Sequence, residues 1–183
     1  MKMPALAPVA LLAACATPQP NVVPATALPQ TTAQSVAEAL AEADRAAAAG
    51  DERALGTSLA RLDGLGARAD EGEPDVLAAW QVRLGRTPQP YRGRALGPAY
   101  RRGSLPADGE VRLSQTFLSG QRASIAVSSP GRPVPGLSVT SASGRAVCES
   151  AAHCRWTPVF TERYEIVLRN PARRASDYYL VVE

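Results

Sequence analysis

The sequence predicts an α+β protein: a short helical segment of two to three helices, then an antiparallel β-sandwich of seven to eight strands. Three observations carry this. Apolar residues recur with a period near 3.6 over residues 32–86 and with a period of 2 beyond residue 98. Pro88, Pro90, Gly93, Gly97 and Pro98 punctuate the change, marking residues 87–98 as a linker between two domains. Gly/Pro/Ser/Asp clusters at 106–109, 128–136, 141–144 and 170–177 then cut residues 99–183 into short runs, the turn spacing of a sandwich. At 45% hydrophobic and 20% charged residues the composition is globular, which excludes a wholly disordered chain. No apolar run reaches the roughly 18 residues of a spanning helix, which excludes a polytopic membrane protein.

In the helical segment, Thr31-x-x-Gln34 and Ser35-x-x-Glu38 both fit a capping box, and an Ala-rich run continues to Gly50, a suitable helix terminator. Asp51 is placed to cap a second helix whose Leu55, Leu59 and Leu62 form one stripe, ended by Gly64 and Gly66. Pro74 is expected in the first turn of a third helix, with Leu77, Trp80 and Leu84 on one face before Gly85. The stretch Ala47–Leu59 is similar to the inter-helix region of a tetratricopeptide unit. No second copy follows at the 34-residue period, so a plain helical hairpin packing its Leu/Ala face is expected instead.

In the sandwich, alternation picks out Val111, Leu113, Gln115 and Phe117, then Ile125 and Val127, then Leu137 and Val139. It continues with Tyr164, Ile166 and Leu168, and with Tyr178, Leu180 and Val182. Phe117, Trp156, Phe160, Tyr164 and Tyr178 are the expected large core residues.

The N-terminus reads as an address. Lys2 precedes an apolar stretch from Ala5 to Ala14, too short to span a bilayer and fitting a secretory signal over residues 1–14. It runs into Leu12-Ala13-Ala14-Cys15, which resembles the lipobox of bacterial lipoproteins. The resemblance implies lipidation of Cys15, with diacylglycerol on its sulfur, cleavage before it, and acylation of the new amine by a palmitate-like chain. Two or three acyl chains anchor stably, each buried CH₂ contributing about 0.8 kcal/mol. Ala16 stands where the inner-membrane retention signal of enteric lipoproteins is Asp, so the resemblance implies a lipid-anchored protein of the outer membrane, facing the periplasm. Residues 15–31 then comprise the lipidated cysteine and a stalk. The sixteen residues 16–31 hold four prolines and no charge, and at ~3.1 Å per residue an extended Pro-rich stalk reaches up to ~50 Å.

Phe117-x-x-Gly120-Gln121, Leu137-Ser-Val139, Ser143-Gly144, Phe160-Thr161-x-x-Tyr164-x-Ile166-x-Leu168-x-Asn170 and Tyr179-x-Val181 are similar in order to the pattern of bacterial pre-peptidase C-terminal domains. The resemblance spans most of residues 105–183 and implies a β-sandwich that accompanies secreted enzymes without catalysing anything itself. Glu162-Arg163 departs from the Thr-Gly common before the tyrosine, and Ser143 replaces the turn Asp.

Little in the chain points to chemistry. Cys148 and Cys154, six residues apart in an exported chain, are expected to form a disulfide. A Cys-His-Cys metal site through His153 lacks a fourth ligand nearby, so no metal and no cofactor is expected. A reactive thiol with His153 as base asks sequence neighbours for a geometry they rarely reach. His153 is the only imidazole, and neither Gly-x-Ser-x-Gly nor a phosphate-cradling glycine loop occurs, so no catalytic residue is assigned. Charge is uneven: residues 31–90 carry 10 acidic side chains against 6 arginines, and residues 99–183 carry 11 arginines against 7 acids. Opposite signs suit docking of the helices on the sandwich, or of the basic side on an acidic partner. The expectation is a non-catalytic scaffold or accessory subunit of a cell-envelope assembly, with the membrane and an envelope protein as partners and no nucleic acid. The alternative is a module that binds peptidoglycan or polysaccharide, for which Tyr91, Tyr100 and Tyr179 are the aromatic candidates.

Overall fold

The computed structural model describes residues 29–88 and 97–183. Helix α1 spans Thr32–Ala49 and α2 Glu52–Gly64, followed by the two-residue strand β1 (Arg68–Ala69) and α3 (Val76–Arg83). Eight strands follow: β2 Ala99–Leu105, β3 Glu110–Phe117, β4 Ala123–Ser128, β5 Gly136–Ser141, β6 Ala146–Ala151, β7 His153–Trp156, β8 Glu162–Arg169 and β9 Ser176–Val182.

The helices begin and end where local chemistry directs. Thr31 Oγ1 accepts from the Gln34 amide at 3.2 Å while Gln34 Oε1 accepts from the Thr31 amide at 2.9 Å, so the first of the two predicted capping boxes is the one used. Gly50 closes α1 at φ 73°, a conformation that costs glycine little. Asp51 Oδ1 accepts from the Ala54 amide to start α2, and Arg61 then lies 3.5 Å from Glu42, which makes the two helices an antiparallel hairpin. The third helix starts two residues later than expected. Asp75 caps it by accepting from the Ala78 amide, and Pro74 precedes the cap instead of occupying the first turn. A carboxylate satisfies an orphan amide at that position, which proline cannot do.

Two sheets stack. One has the order β1-β2-β9-β4-β7 and the other β3-β8-β5-β6; β1 pairs parallel with β2, and every other pairing is antiparallel. The first sheet is buried on both faces. Leu180 of β9 and Ile125 and Val127 of β4 pack against Leu137, Val139, Tyr164, Ile166 and Leu168 of the second sheet. The odd-numbered Tyr179 and Val181, with Tyr100 and Ala126, pack against Val36, Leu40, Leu55, Leu59, Leu62 and Trp80 of the helices. The architecture is therefore helices on sheet on sheet, with two cores separated by one layer of strands. Alanines at positions 33, 37 and 43 let α1 lie close to the sheet, and Ser128 Oγ donates to the Ala37 carbonyl across the contact.

Two glycines are required by close approach. A Cβ on Gly97 would meet the Gly66 carbonyl oxygen at 2.2 Å, and one on Gly103 would meet the Tyr178 ring at 2.5 Å. Tyr178 lies over its cross-strand neighbour Gly103, covering backbone that has no side chain of its own. Phe160 is not in the core. It is 73% exposed, because β8 begins at Glu162 and Phe160 lies in the preceding loop.

Candidate functional site

The sandwich has two ends: one carries the exposed Leu118, Val159 and Phe160, the other only Val134 among the large apolar side chains exposed in the described residues. At the first of these ends Phe117 is the last residue of β3, Trp156 the last of β7, and Tyr164 sits near the start of β8. The three rings close the gap between the sheets: Phe117 meets Trp156 edge-on at 4.8 Å between centroids and Tyr164 at 5.7 Å, and Trp156 lies 5.3 Å from Tyr164. Trp156 and Tyr164 thus keep the roles the sequence predicts.

Immediately beyond these rings the chain turns outward in two loops, residues 118–122 and 157–161. Each is fixed against the other. The Gly120 amide donates to the Pro158 carbonyl at 2.9 Å, the Ser119 amide to Thr161 Oγ1 at 3.0 Å, and Ser119 Oγ to the Val159 carbonyl at 2.6 Å. On this braced pair stand Leu118, Val159 and Phe160, at 49%, 63% and 73% exposure. Around them are exposed arginines: Arg122 in the first loop, Arg155 on β7, Arg163 on β8 and Arg145 in the β5–β6 turn. Among the described residues none of these four has an ion-pair partner, and neither do Arg132, Arg173 and Arg174 at the other end, whereas Arg61, Arg101, Arg102, Arg112 and Arg169 all do.

The chain also enters the fold at this end. Thr31, which caps α1, has its Oγ1 3.0 Å from Ser124 Oγ; Ser124 lies two residues after Arg122 and directly opposite Arg155 in the β4–β7 ladder. A cleft of about 480 Å³ opens beside this entry, lined by Thr31, Gln34, Cys148, His153 and Arg155. A second, of about 640 Å³, lies on the other side of the loops, lined by Arg68, Gln115, Leu118, Arg122 and Glu183.

Of the residues singled out in the sequence, Cys15 and Tyr91 lie outside the described residues. Cys148 and Cys154 are joined as a disulfide with Cα atoms 6.1 Å apart, a normal separation. The bridge links β6 of one sheet to β7 of the other, so it fastens the sheets together at the edge where the chain crosses between them. His153 is exposed beside it, and among the described residues no group of three or more His, Cys, Asp or Glu is placed to hold a metal ion.

Tyr100 and Tyr179 are fully buried, which removes them as sugar-stacking platforms. Both sit on inner strands of the first sheet and point at the helices that cover it. Tyr179 Oη donates to Asp44 of α1 at 2.8 Å, and Arg102 Nη2 reaches the same carboxylate oxygen at 3.2 Å. Tyr100 Oη donates to the capping Asp75 at 3.0 Å. Burial first, and the adjacent carboxylate second, push both phenols well above the usual tyrosine range. The opposite charges of the two halves therefore meet across the helix–sheet contact at Asp44 with Arg102, and beside the β1–β2 pairing at Asp70 with Arg101, the latter 2.6 Å apart.

No protein-family model matches the chain, and no curated protein does. The resemblance to pre-peptidase C-terminal domains accordingly rests on its motif residues alone. Among solved structures, the chain is similar to PliG of Aeromonas hydrophila, a periplasmic inhibitor of g-type lysozyme, at 13% identity and a TM-score of 0.41, over 47% of this chain and 84% of that one. PliG of Salmonella Typhimurium gives 12% and 0.38, over 51% and 92%. The Yersinia pseudotuberculosis-derived mitogen gives 13% and 0.37, over 47% and 84%. At these identities and TM-scores the similarities assign neither a family nor a function to the chain.

Proposed function

We propose that this protein is a non-catalytic outer-membrane lipoprotein facing the periplasm, anchored through Cys15, that serves as a scaffold or accessory subunit of a cell-envelope assembly. One observation carries the adhesive part of this reading. Leu118, Val159 and Phe160 are held out into water on two braced loops although neither core needs them. Exposed apolar groups clustered this way, rimmed by polar residues, mark contact surfaces. The anchor is supported by the Leu12–Cys15 segment following an apolar run.

Two experiments test the reading. Cys15→Ser is expected to move the protein from the membrane to the soluble fraction, and a variant that still sediments with membranes sinks the anchor. Crosslinking of the full, lipidated chain in cells is expected to recover one or two envelope proteins in stoichiometric amount. Recovery of nothing beyond abundant outer-membrane proteins and glycan fragments would overturn the scaffold role.

A further inference from the structure

We propose that the loop end is a membrane-docking face: Leu118, Val159 and Phe160 enter the interfacial layer of the bilayer that holds the anchor, while Arg122, Arg155 and Arg163 meet its anionic headgroups. The inference rests on the anchored reading above and adds an orientation to it.

Three observations favour a bilayer over a protein as the occupant. The first is where the outer chain leads. The 28 residues before the described structure, Cys15 among them, join it at Pro29, and Thr31 contacts Ser124 opposite Arg155. Anchor and apolar loops thus leave the body from the same end. The second is charge: at this end Arg122, Arg145, Arg155 and Arg163 outnumber Glu162 and Glu183, and among the described residues none of the four has an ion-pair partner, a balance that draws a protein to an acidic lipid surface. The third is chemistry. The exposed groups are one aromatic and two aliphatic side chains with basic residues beside them, the composition of interfacial lipid contacts. Such a small patch binds weakly when free. Tethered by a stalk whose full reach is no more than ~50 Å, it meets the bilayer at an effective concentration in the millimolar range, where weak insertion is enough.

The test uses the full, lipidated protein reconstituted into vesicles of phosphatidylcholine and phosphatidylglycerol with brominated acyl chains. Phe160→Trp places a reporter at the loop end. Val82→Trp places one at another exposed site (61% exposed), on α3, whose neighbouring Arg83 binds the Ala47 carbonyl near the far end of α1. Side chains seated roughly 5–10 Å into the interface lie within reach of bromine, so the emission added at position 160 is expected to fall about twofold while that at 82 does not. Combining Arg122→Glu and Arg155→Glu, or omitting phosphatidylglycerol, is expected to restore most of that emission. A reporter at 160 that stays bright while the protein floats with the vesicles overturns the docking face and leaves the anchor standing. A protein that does not float overturns both. Capture of a protein, and not lipid, by a photo-crosslinker at position 160 in cells also overturns it, in favour of a protein-binding tip.

Discussion

The two ends of the sandwich are built for opposite purposes. The end away from the chain entry, where β2 passes to β3 and β8 to β9, is closed by a buried polar hub. Asn170 is fully buried; its Nδ2 donates to the carbonyls of Pro106 at 2.9 Å and Arg174 at 2.8 Å, and its Oδ1 accepts from the Ala172 amide. Its own amide donates to the Gly109 carbonyl. One side chain thereby ties two corners of the fold, and every group it offers is satisfied within the protein. The two loops at the other end are hydrogen-bonded to each other, between Ser119, Gly120, Pro158, Val159 and Thr161, but leave apolar surface over. Stability is therefore concentrated at one end and available surface at the other, and substitutions at the two ends separate these properties.

The largest effect is expected from Asn170→Asp, which replaces a donor by a carboxylate facing carbonyl oxygens. An uncompensated buried charge costs about 3–5 kcal/mol, and urea unfolding measures it; a loss below 1 kcal/mol would show that the hub is not what closes this end. Next, reduction of Cys148–Cys154, or replacement of both cysteines by serine, removes a short-loop crosslink that contributes about 2–3 kcal/mol through the unfolded state. The fall in melting temperature, with the strand content retained by circular dichroism, is the readout.

Alkaline pH should act on the helix–sheet contact. The folded pKa of Tyr179 is raised above its ordinary value of 10 by burial and by its bond to Asp44. Its contribution is complete below pH 10 and is lost as pH rises beyond that, because the unfolded chain gives up the proton first. Stability should drop with a slope approaching about 1.4 kcal/mol per pH unit for each such tyrosine. Tyr179→Phe should flatten the slope by one tyrosine's share, which denaturation midpoints followed from pH 9 to 11 would reveal. The smallest effect is expected from Phe160→Ser: its stability should stay within about 0.5 kcal/mol of the parent, as for exposed sites generally. A larger loss would make Phe160 a structural residue and undo the contrast between the ends.

How much of this the sequence reveals follows from the range of each interaction. Caps at Thr31, Asp51 and the region of Asp75 depend on residues three apart, and alternation on one face of each strand depends on residues two apart; both are readable. Even positions 178, 180 and 182 are therefore legible as inward-facing. Tyr179 and Val181 are not, because the helices that bury their other face lie more than a hundred residues earlier in the chain. Tyr100 and Tyr179 look like surface aromatics because their partners Asp75 and Asp44 lie 25 and 135 residues away. β1 is missed because two residues carry no periodicity, and its partner β2 lies about thirty residues later in the chain. Phe160 is misread as core because an aromatic four residues before Tyr164, in phase with the alternating run, looks like its continuation. The loop end itself is invisible in sequence: Leu118 and Phe160 are 42 positions apart, and only the pairing of β3 with β8 brings them to one place.

One feature of the first sheet governs how the molecule comes into being. β9 is the final element in chain order, yet it lies in the middle of the sheet, between β2 and β4, and gives side chains to both cores. A polypeptide threaded through a pore with its N-terminus leading can make the α1–α2 hairpin early, but neither hydrophobic interior is complete until residues 176–182 have come through. On the export route proposed above, folding waits for that last strand, and a chain in transit stays extended enough to keep moving.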